Sequence, residues 1–384
     1  MIPEESFLAD QFRKYYRRKE IIMPDRIQSR EIGFIPFTGT MVRHYSFQDA
    51  RYASAFVRKI VPRHLYYSTA YYRKPEERVM QDKMWLGAEL IFDLDADHLK
   101  NAERMAYHEI LEEVKKHTVR LVNDYLLGDL GFQKEKLHVY FSGGRGYHVH
   151  VHGEDVYAMT SDMRREVANY CRMEGFGHQE YLKTLGRKQK NGTGITVRFS
   201  QYFSDFVKRL ESGGEEEEAI ALGILGEKAM KTLQKNMDAL VKAGSKFRKR
   251  SELLAEMWGS RHINLSAEEN ELLKGLINIF IEKNACEIDE PVTTDVHRLI
   301  RFPGSLHGKT GLEVVPVQID ELGGFDPLKS AIPDVFMEGE EEVIAPQRIE
   351  ISMAGKEFVL ESGLNKVPTY LAIFLVAQKK CKLK

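Results

Sequence analysis

Glu89-Leu-Ile-Phe-Asp93-Leu-Asp95 is a short apolar run that ends in two carboxylates. Side chains alternate across a β-strand, so the run predicts a strand with its leucines and Phe92 packed on one face. Asp93 and Asp95 then lie side by side at the rim of the other face. Two carboxylates that close repel each other unless a cation neutralises them, and Mg²⁺ or Mn²⁺ fits because hard cations prefer oxygen ligands. The alternative is a solvated pair at a strand end.

A glycine-rich loop joins two further predicted strands. Leu137–Phe141 and Tyr147–His152 are the strands, and Ser142-Gly-Gly-Arg-Gly146 connects them as a hairpin. The glycines permit positive φ and let backbone N–H groups approach an anion closely. Arg145 adds a planar fork of donors suited to phosphate. The pattern indicates either a phosphate-binding loop or a hairpin whose glycines only make the turn.

Three histidines alternate along the second of these strands. His148, His150 and His152 share one face by the two-residue period. A His-x-His zinc site, and with it a zinc hydrolase, is one interpretation. No cysteine lies nearby and no obvious third-ligand motif accompanies the histidines, so we expect no zinc on this strand.

The segment from Asp289 to Gly311 contains several cationic side chains that could bind phosphate. A short helix is predicted to end at Pro303, and Arg298 and Arg301 lie three residues apart on it, which gives the helix a basic face. In the loop that follows, Ser305, His307 and Lys309 occupy alternate positions, and glycines lie at positions 304, 308 and 311. Such a loop can cradle a triphosphate, although it is a poor match to the Walker A pattern. The alternative is a solvated basic loop.

Together, the carboxylate pair and the cations predict phosphoryl or nucleotidyl transfer. In such reactions two divalent ions roughly 4 Å apart stabilise the attacking 3′-hydroxyl and the leaving pyrophosphate. A third carboxylate is needed to bridge or orient the pair. The sequence offers four candidates without choosing among them: Glu287, Asp289, Glu290 and Asp295.

The order of these motifs resembles that of the catalytic small subunit of archaeal and eukaryotic DNA primases, with the archaeal pattern the closer. The resemblance covers about residues 10–320 and rests on Arg30–Phe37, Arg43–Phe47, Ile91–Asp95, Ser142–His148 and Asp289–Gly311. It implies an α/β (α+β) fold with a primase-type core of mixed β-sheet flanked by helices. The implied activity is template-directed synthesis of short primers for replication, with extension of DNA primers as an open further activity.

The resemblance also implies roles for single residues. The catalytic, metal-binding aspartates are matched by Asp93, Asp95 and Asp289, which implies Mg²⁺ or Mn²⁺ as cofactor. Positions that hold the triphosphate of the incoming nucleotide are matched by Ser142, Arg145, His148, His307 and Lys309. Arg298 and Arg301 fall where the family places further basic or polar contacts, and Glu31 and Arg43 lie in its N-terminal motif near the active site. The implied partners are a single-stranded DNA template, nucleoside triphosphates (ribo, with deoxy open) and a large primase subunit that completes a heterodimer.

One departure from the family concerns zinc. The family usually carries a small Cys/His zinc module just after the aspartate pair, but Asp97–Leu127 contains no cysteine. This stretch predicts an amphipathic helix from about Asn101 to Leu127. His108 and His117 fall on opposite faces of that helix, so they cannot share a metal ion. We therefore expect no structural zinc.

Two other functions remain open on the sequence alone. A repair-type polymerase of the same superfamily would extend primers without starting them. A non-catalytic nucleic-acid-binding module would not need the aspartates. Composition does not separate these, because a net charge of −1 leaves only local basic clusters, such as Lys246–Arg250, for a nucleic acid to contact.

Composition and length define the class and organisation of the chain. With 384 residues, 43% hydrophobic and 29% charged, it is expected to form two or three units without a disulfide framework or a membrane span, in the cytoplasm and at the nucleoid. The predicted units are a catalytic core of residues 1–204 and 286–340, a mainly helical inserted subdomain of residues 205–285, and a C-terminal strand and helix extension of residues 341–384. Alternation predicts a strand at Gly194–Phe203 within the core.

Overall fold

The computed structural model describes residues 3–99, 102–185, 194–235 and 267–384. The basic cluster at Lys246–Arg250 lies outside the described residues. Within those four ranges, no helix combines the length and apolarity that a bilayer crossing needs.

The strands are short and are distributed along most of the chain. Their bounds are β1 Ile32–Ile35, β2 Val42–Tyr45, β3 His64–Ser68, β4 Ala70–Tyr72, β5 Trp85–Ala88, β6 Leu90–Leu94, β7 Leu137–Phe141, β8 Tyr147–Val151, β9 Leu299–Arg301, β10 Val315–Val317, β11 Glu340–Ala345, β12 Ile349–Met353, β13 Lys356–Leu360, β14 Gly363–Pro368 and β15 Lys382–Leu383.

The described helices lie before and between these strands. Their bounds are α1 Pro3–Arg18, α2 Ala50–Ile60, α3 Tyr107–Arg120, α4 Glu154–Tyr157, α5 Ser161–Cys171, α6 His178–Leu185, α7 Ile195–Glu211, α8 Glu215–Lys235, α9 Ala267–Asn284, α10 Glu290–Thr294, α11 Pro327–Ser330 and α12 Thr369–Ala377. A π-helical segment, Leu121–Asp129, continues α3. Helices combined with several small sheets confirm the predicted α/β class, and the strand pairs of the described residues are antiparallel where a mixed sheet was expected.

The chain divides into two compact units. The first contains Met1–Val119, Gln133–Ala168 and Glu287–Lys384, and all fifteen strands named above belong to it. The second contains Arg120–Phe132 and Asn169–Cys286, and its described residues are mainly helical. The limits given above for an inserted subdomain, residues 205–285, stay a prediction.

The strand expected at Gly194–Phe203 was a wrong prediction, since this segment lies in helix α7. Its buried aromatic residues, Phe199, Phe203 and Phe206, follow the three- and four-residue spacing of a helix face and continue into Val207. Ile195 and Phe199, four residues apart, fit the period of a strand and that of a helix. The longer pattern that continues to Val207 fits only the helix.

Two four-stranded sheets of the first unit position the predicted site. One has the order β10-β7-β8-β6 and the other the order β2-β1-β3-β9. In the first sheet β6 pairs with β8, so that Asp93 lies opposite His148. Leu90, Phe92 and Leu94 are fully buried, which confirms the predicted packing of this strand.

The short helix expected to carry Arg298 and Arg301 was also a wrong prediction. Helix α10 ends at Thr294, and Arg301 is instead the last residue of strand β9, with Arg298 just before that strand. The cause is tertiary: Leu299, Ile300 and Arg301 pair with the edge of β3 opposite β1, and β-branched residues such as Ile300 suit a sheet.

The loop between β7 and β8 packs closely against the end of β6. The N–H of Ser142 donates a hydrogen bond to the Gly146 carbonyl oxygen at 2.9 Å and closes the loop. A Cβ atom at Gly146 would lie 2.2 Å from the carbonyl oxygen of Leu94, so no larger residue fits without a backbone shift. Gly143 has φ of +75°, a conformation that favours glycine.

We predict that Gly146→Ala destabilises the protein by about 1–3 kcal/mol, because the added methyl group overlaps the Leu94 carbonyl. Chemical unfolding of the variant measures the change. Gly324→Ala is the matched control, since nothing lies within 4 Å of a Cβ built there. Equal losses of stability in the two variants would contradict the close approach of loop and strand.

Candidate active site

Three aspartates from distant parts of the sequence meet at the end of β6. Asp93 is the penultimate residue of the strand, and Asp95 caps the short 3-10 turn that follows it. The backbone N–H of Asp289 donates a hydrogen bond to the Asp93 carbonyl oxygen at 2.9 Å, and Asp289 is the N-cap residue of α10. The fold therefore brings the three predicted carboxylates together.

The electrostatics of Asp93 reflect this crowding. Its side chain is 21% exposed. Burial, together with the neighbouring carboxylates of Asp95 and Asp289, raises the pKa of Asp93 to about 7, although Arg298 and Arg301 act in the opposite direction. Carboxylates that perturb one another in this way share a small volume. An oxygen-rich cluster with excess negative charge fits a hard divalent cation.

The other candidates for the third carboxylate have different surroundings. An oxygen of Glu290 accepts a hydrogen bond from Arg165 at 3.0 Å. Asp295 is exposed and accepts one from the N–H of His297 at 2.9 Å. Asp289, unlike Glu287, is among the neighbours whose charge raises the pKa of Asp93. The structure thus favours Asp289 over these three.

His148 lies directly across the sheet from Asp93. Its Nε2 atom is 3.6 Å from an oxygen of Asp93, and the side chain is almost fully buried. Burial, followed by the nearby His150 and Arg301, lowers the pKa of His148, so the imidazole is neutral at pH 7. Its Nδ1 atom is buried and finds no hydrogen-bond partner among the described residues.

The glycine loop places two of the predicted nucleotide contacts beside the aspartates. The hydroxyl oxygen of Ser142 is buried and accepts a hydrogen bond from the N–H of Gly144 at 3.3 Å. Arg145 is 39% exposed, forms an ion pair with Asp97 and lies 3.7 Å from an oxygen of Asp95. The guanidinium of Arg145 is therefore held at the mouth of the aspartate cluster.

A partly buried guanidinium links two neutral imidazoles at the same site. Arg301 donates hydrogen bonds to Nε2 of His307, at 3.0 Å, and to Nδ1 of His64. Each imidazole must offer a lone pair to accept them, and burial followed by the charge of Arg301 lowers the pKa of both histidines. Arg301 also lies over the ring of Tyr66, 4.8 Å from its centroid.

His307 also faces the glycine loop. A Cβ at Gly144 would lie 3.2 Å from Nε2 of His307, and the Thr310 hydroxyl donates a hydrogen bond to the Gly143 carbonyl oxygen at 2.5 Å. Lys309 is exposed beside these groups. Arg298 is half-buried, and its charge lowers the pKa values of Asp93 and His148. All ten predicted site residues thus belong to the first unit.

His64 is a part of this arrangement that the sequence interpretation missed. It lies on β3, next to the strand that carries Arg301, and no motif surrounds it in the sequence. Glu31 is fully buried and binds the guanidinium of Arg43 at 3.0 and 3.2 Å and the Lys83 ammonium at 3.4 Å. The N-terminal motif therefore forms a buried charge cluster.

A second set of potential metal ligands lies on the same sheet. Glu89, His150 and His152 offer one donor atom each, and these atoms lie within 4.8 Å of one another. This set consists of two imidazoles and one carboxylate, in contrast to the aspartate cluster, which offers oxygen alone.

A carboxylate cluster beside several phosphate-binding cations is typical of enzymes that transfer nucleotidyl groups. A family model for the DNA primase small subunit matches residues 92–319. A DNA primase small subunit from Picrophilus torridus is 46% identical over 374 residues, which cover 96% of this chain and 95% of the relative. Those of Thermoplasma volcanium and Thermoplasma acidophilum are 37% and 36% identical, over 95% and 96% of this chain and 94% and 98% of the relatives. The chain therefore belongs to the family of DNA primase small subunits, as its motifs predicted.

The raised pKa of Asp93 predicts how pH and cations change stability. The pKa of Asp93 is about 7 in the folded protein, against an ordinary 3.8. Below about pH 4 the carboxyl is protonated in both the folded and the unfolded chain, so it does not change the free energy of unfolding. As the pH rises to 7, the unfolded chain loses this proton more readily than the folded chain, and the folded state becomes progressively less stable. In EDTA, the stability of Asp93→Asn relative to the natural chain should increase by about 1–4 kcal/mol between pH 5 and 8.

Thermal melting of both proteins across this range measures the difference. Addition of Mn²⁺ at pH 8 should stabilise the natural chain more than Asp93→Asn, since the cation neutralises the charge that the variant lacks. Parallel dependence of Tm on pH in the two proteins would contradict the crowding of the three carboxylates.

Proposed function

We propose that this chain catalyses template-directed synthesis of short primers on single-stranded DNA from nucleoside triphosphates. The observation that carries the proposal is the hydrogen bond between the backbone of Asp289 and that of Asp93. This bond adds a third carboxylate to the pair at the end of β6. The three carboxylates lie beside the glycine loop and beside Arg301 with its partners His64 and His307. Membership of the primase small-subunit family supports the same activity.

The three aspartates are the proposed ligands of Mg²⁺ or Mn²⁺. Oxygen is the only ligand atom that Asp93, Asp95 and Asp289 provide, as hard cations require. When bound, two such cations would favour deprotonation of the attacking 3′-hydroxyl and offset negative charge on the leaving pyrophosphate. The chain itself orients the carboxylates, through the strand that carries Asp93 and the helix that starts at Asp289.

The remaining residues are the proposed phosphate contacts. Arg145 can exchange its exposed ion pair with Asp97 for a phosphate oxygen. The Nδ1 of His148 has no hydrogen-bond partner in the part of the chain that the structure describes, and it provides a buried polar atom for the nucleotide. The other contacts are Ser142, Arg298, Arg301, His307 and Lys309. Because His64 and His307 are neutral, they orient the Arg301 guanidinium without competing for its charge.

The proposed partners follow from the reaction and from the charge of the chain. They are a single-stranded DNA template, ribo- or deoxynucleoside triphosphates, and a large primase subunit. A net charge of −1 predicts modest and salt-sensitive template affinity, which a partner subunit can increase. The proposed location is the cytoplasm, at sites of replication on the nucleoid.

The direct test is incorporation of labelled nucleotide on an unprimed single strand, with and without the large subunit. Products on the unprimed template are expected, and the partner should increase their yield. Incorporation only when a primer is supplied would indicate a primer-extending polymerase. No incorporation with either template would refute the proposed activity.

We predict that Asp95→Asn lowers nucleotide incorporation on the order of 10³-fold, because one proposed metal ligand loses its charge. Its Tm should remain within a few degrees of that of the natural chain, since Asp95 is partly exposed. Asp320→Asn is the matched control: Asp320 is 80% exposed and pairs with Lys134. Retained activity in Asp95→Asn would remove the two-metal assignment.

Lys309→Gln is expected to raise the KM for the nucleoside triphosphate about tenfold with a smaller change in kcat, because a charged phosphate contact is lost while the carboxylates stay intact. Steady-state kinetics on an extended primer separate the two constants. Lys329→Gln, at another exposed lysine, is the control. Equal KM values for the two variants would show that Lys309 does not contact the nucleotide.

A further inference from the structure

The face of the β6–β8 pair that carries Asp93 and His148 continues into a buried group of different chemistry. Glu89 immediately precedes β6, and His150 lies on β8 opposite Ile91. Glu89 and His150 are almost fully buried, whereas His152 is 23% exposed. The proposed function uses none of these three side chains.

The donor atoms of this group point at one another. Nδ1 of His150 is 2.8 Å from one carboxylate oxygen of Glu89, and Nδ1 of His152 is 3.8 Å from the other. The first distance is a hydrogen bond, but the second is too long for one. Ligand atoms bound to one tetrahedral zinc ion lie about 3.3 Å apart, between these two distances. An ion can therefore take the place of the proton that His150 shares with Glu89.

The charges around Glu89 leave room for a cation. Arg30 forms ion pairs with both Glu89 and Asp25, so these three groups carry one net negative charge. Burial would raise the pKa of Glu89, but Arg30 and His150 together hold that pKa below its usual value, and the group stays a carboxylate. Burial lowers the pKa of His152 to about 4, so its imidazole offers a lone pair at pH 7.

We propose that Glu89, His150 and His152 form a binding site for a transition-metal ion of the zinc class, separate from the aspartate cluster. Imidazole nitrogen suits Zn²⁺, Co²⁺ and Ni²⁺, whereas Mg²⁺ prefers oxygen ligands alone. The exposed edge of His152 gives the ion a route from solvent. A water molecule completes the tetrahedron, and His150 binds through Nδ1 as the tautomer whose imidazole proton lies on Nε2.

Such an ion would link the start of β6 to the end of β8, on the strand pair that also carries Asp93 and His148. Glu89 is four residues before Asp93, just ahead of the strand that carries it, and His150 is two residues after His148. The sequence interpretation set aside a zinc site on these histidines because no third ligand was visible. Pairing of β6 with β8 brings in that ligand, Glu89, from the position just before β6, and the same pairing places His148 against Asp93 instead of in the metal set.

The test measures metal content of the full chain after removal of metals by EDTA and dialysis against Zn²⁺. Elemental analysis should give about one zinc ion per chain. Loading with Co²⁺ should give the visible absorption of a tetrahedral ion with nitrogen and oxygen ligands. His152→Gln is the main variant, because His152 is partly exposed and its replacement leaves Glu89 paired with Arg30. His150→Gln is the second.

Both variants should lose the bound zinc and the cobalt spectrum, while His108→Gln, which changes an exposed histidine outside the group, should keep them. Asp95→Asn should also keep them, since the aspartate cluster is a separate site. Zinc bound equally by His152→Gln and the natural chain would overturn the proposal, as would zinc lost only in Asp95→Asn. Metal content is read without nucleotides, so this test is independent of primer synthesis.

Discussion

The site depends on one backbone hydrogen bond that holds mutually repelling carboxylates together. The N–H of Asp289 donates to the carbonyl oxygen of Asp93 at 2.9 Å and joins the start of α10 to the end of β6. Because backbone atoms form the bond, it occupies no carboxylate oxygen of either residue. The raised pKa of Asp93 shows the electrostatic cost of this arrangement, which a divalent ion would offset.

The positive charge at the site depends on where the cationic side chains are placed and not on the net charge of the chain. The chain has almost no net charge, yet Arg301, which is partly buried, lies between two imidazoles that burial keeps neutral. Neutral acceptors fix the direction of a guanidinium without cancelling its charge. A site of this kind attracts a triphosphate locally while the surface as a whole gains no strong attraction for DNA.

The sequence predicted the parts of the site that depend on local patterns, and missed those that depend on strand pairing. Alternation gave the strand at Leu90–Leu94 and the hairpin around the glycine loop, and both are present. Arg301 was placed on a helix because its spacing from Arg298 suits one, but the edge of β3 recruits it into a strand. Glu89 and His64 have no sequence signal, since only neighbouring strands bring them to their partners.

The most direct measurement of the central claim is a crystal structure of the chain grown with Mn²⁺, with the ions located by their anomalous scattering. The account predicts manganese within about 2.2 Å of carboxylate oxygens from Asp93, Asp95 and Asp289 together. Manganese bound elsewhere, with Asp289 turned away from the other two aspartates, would contradict it.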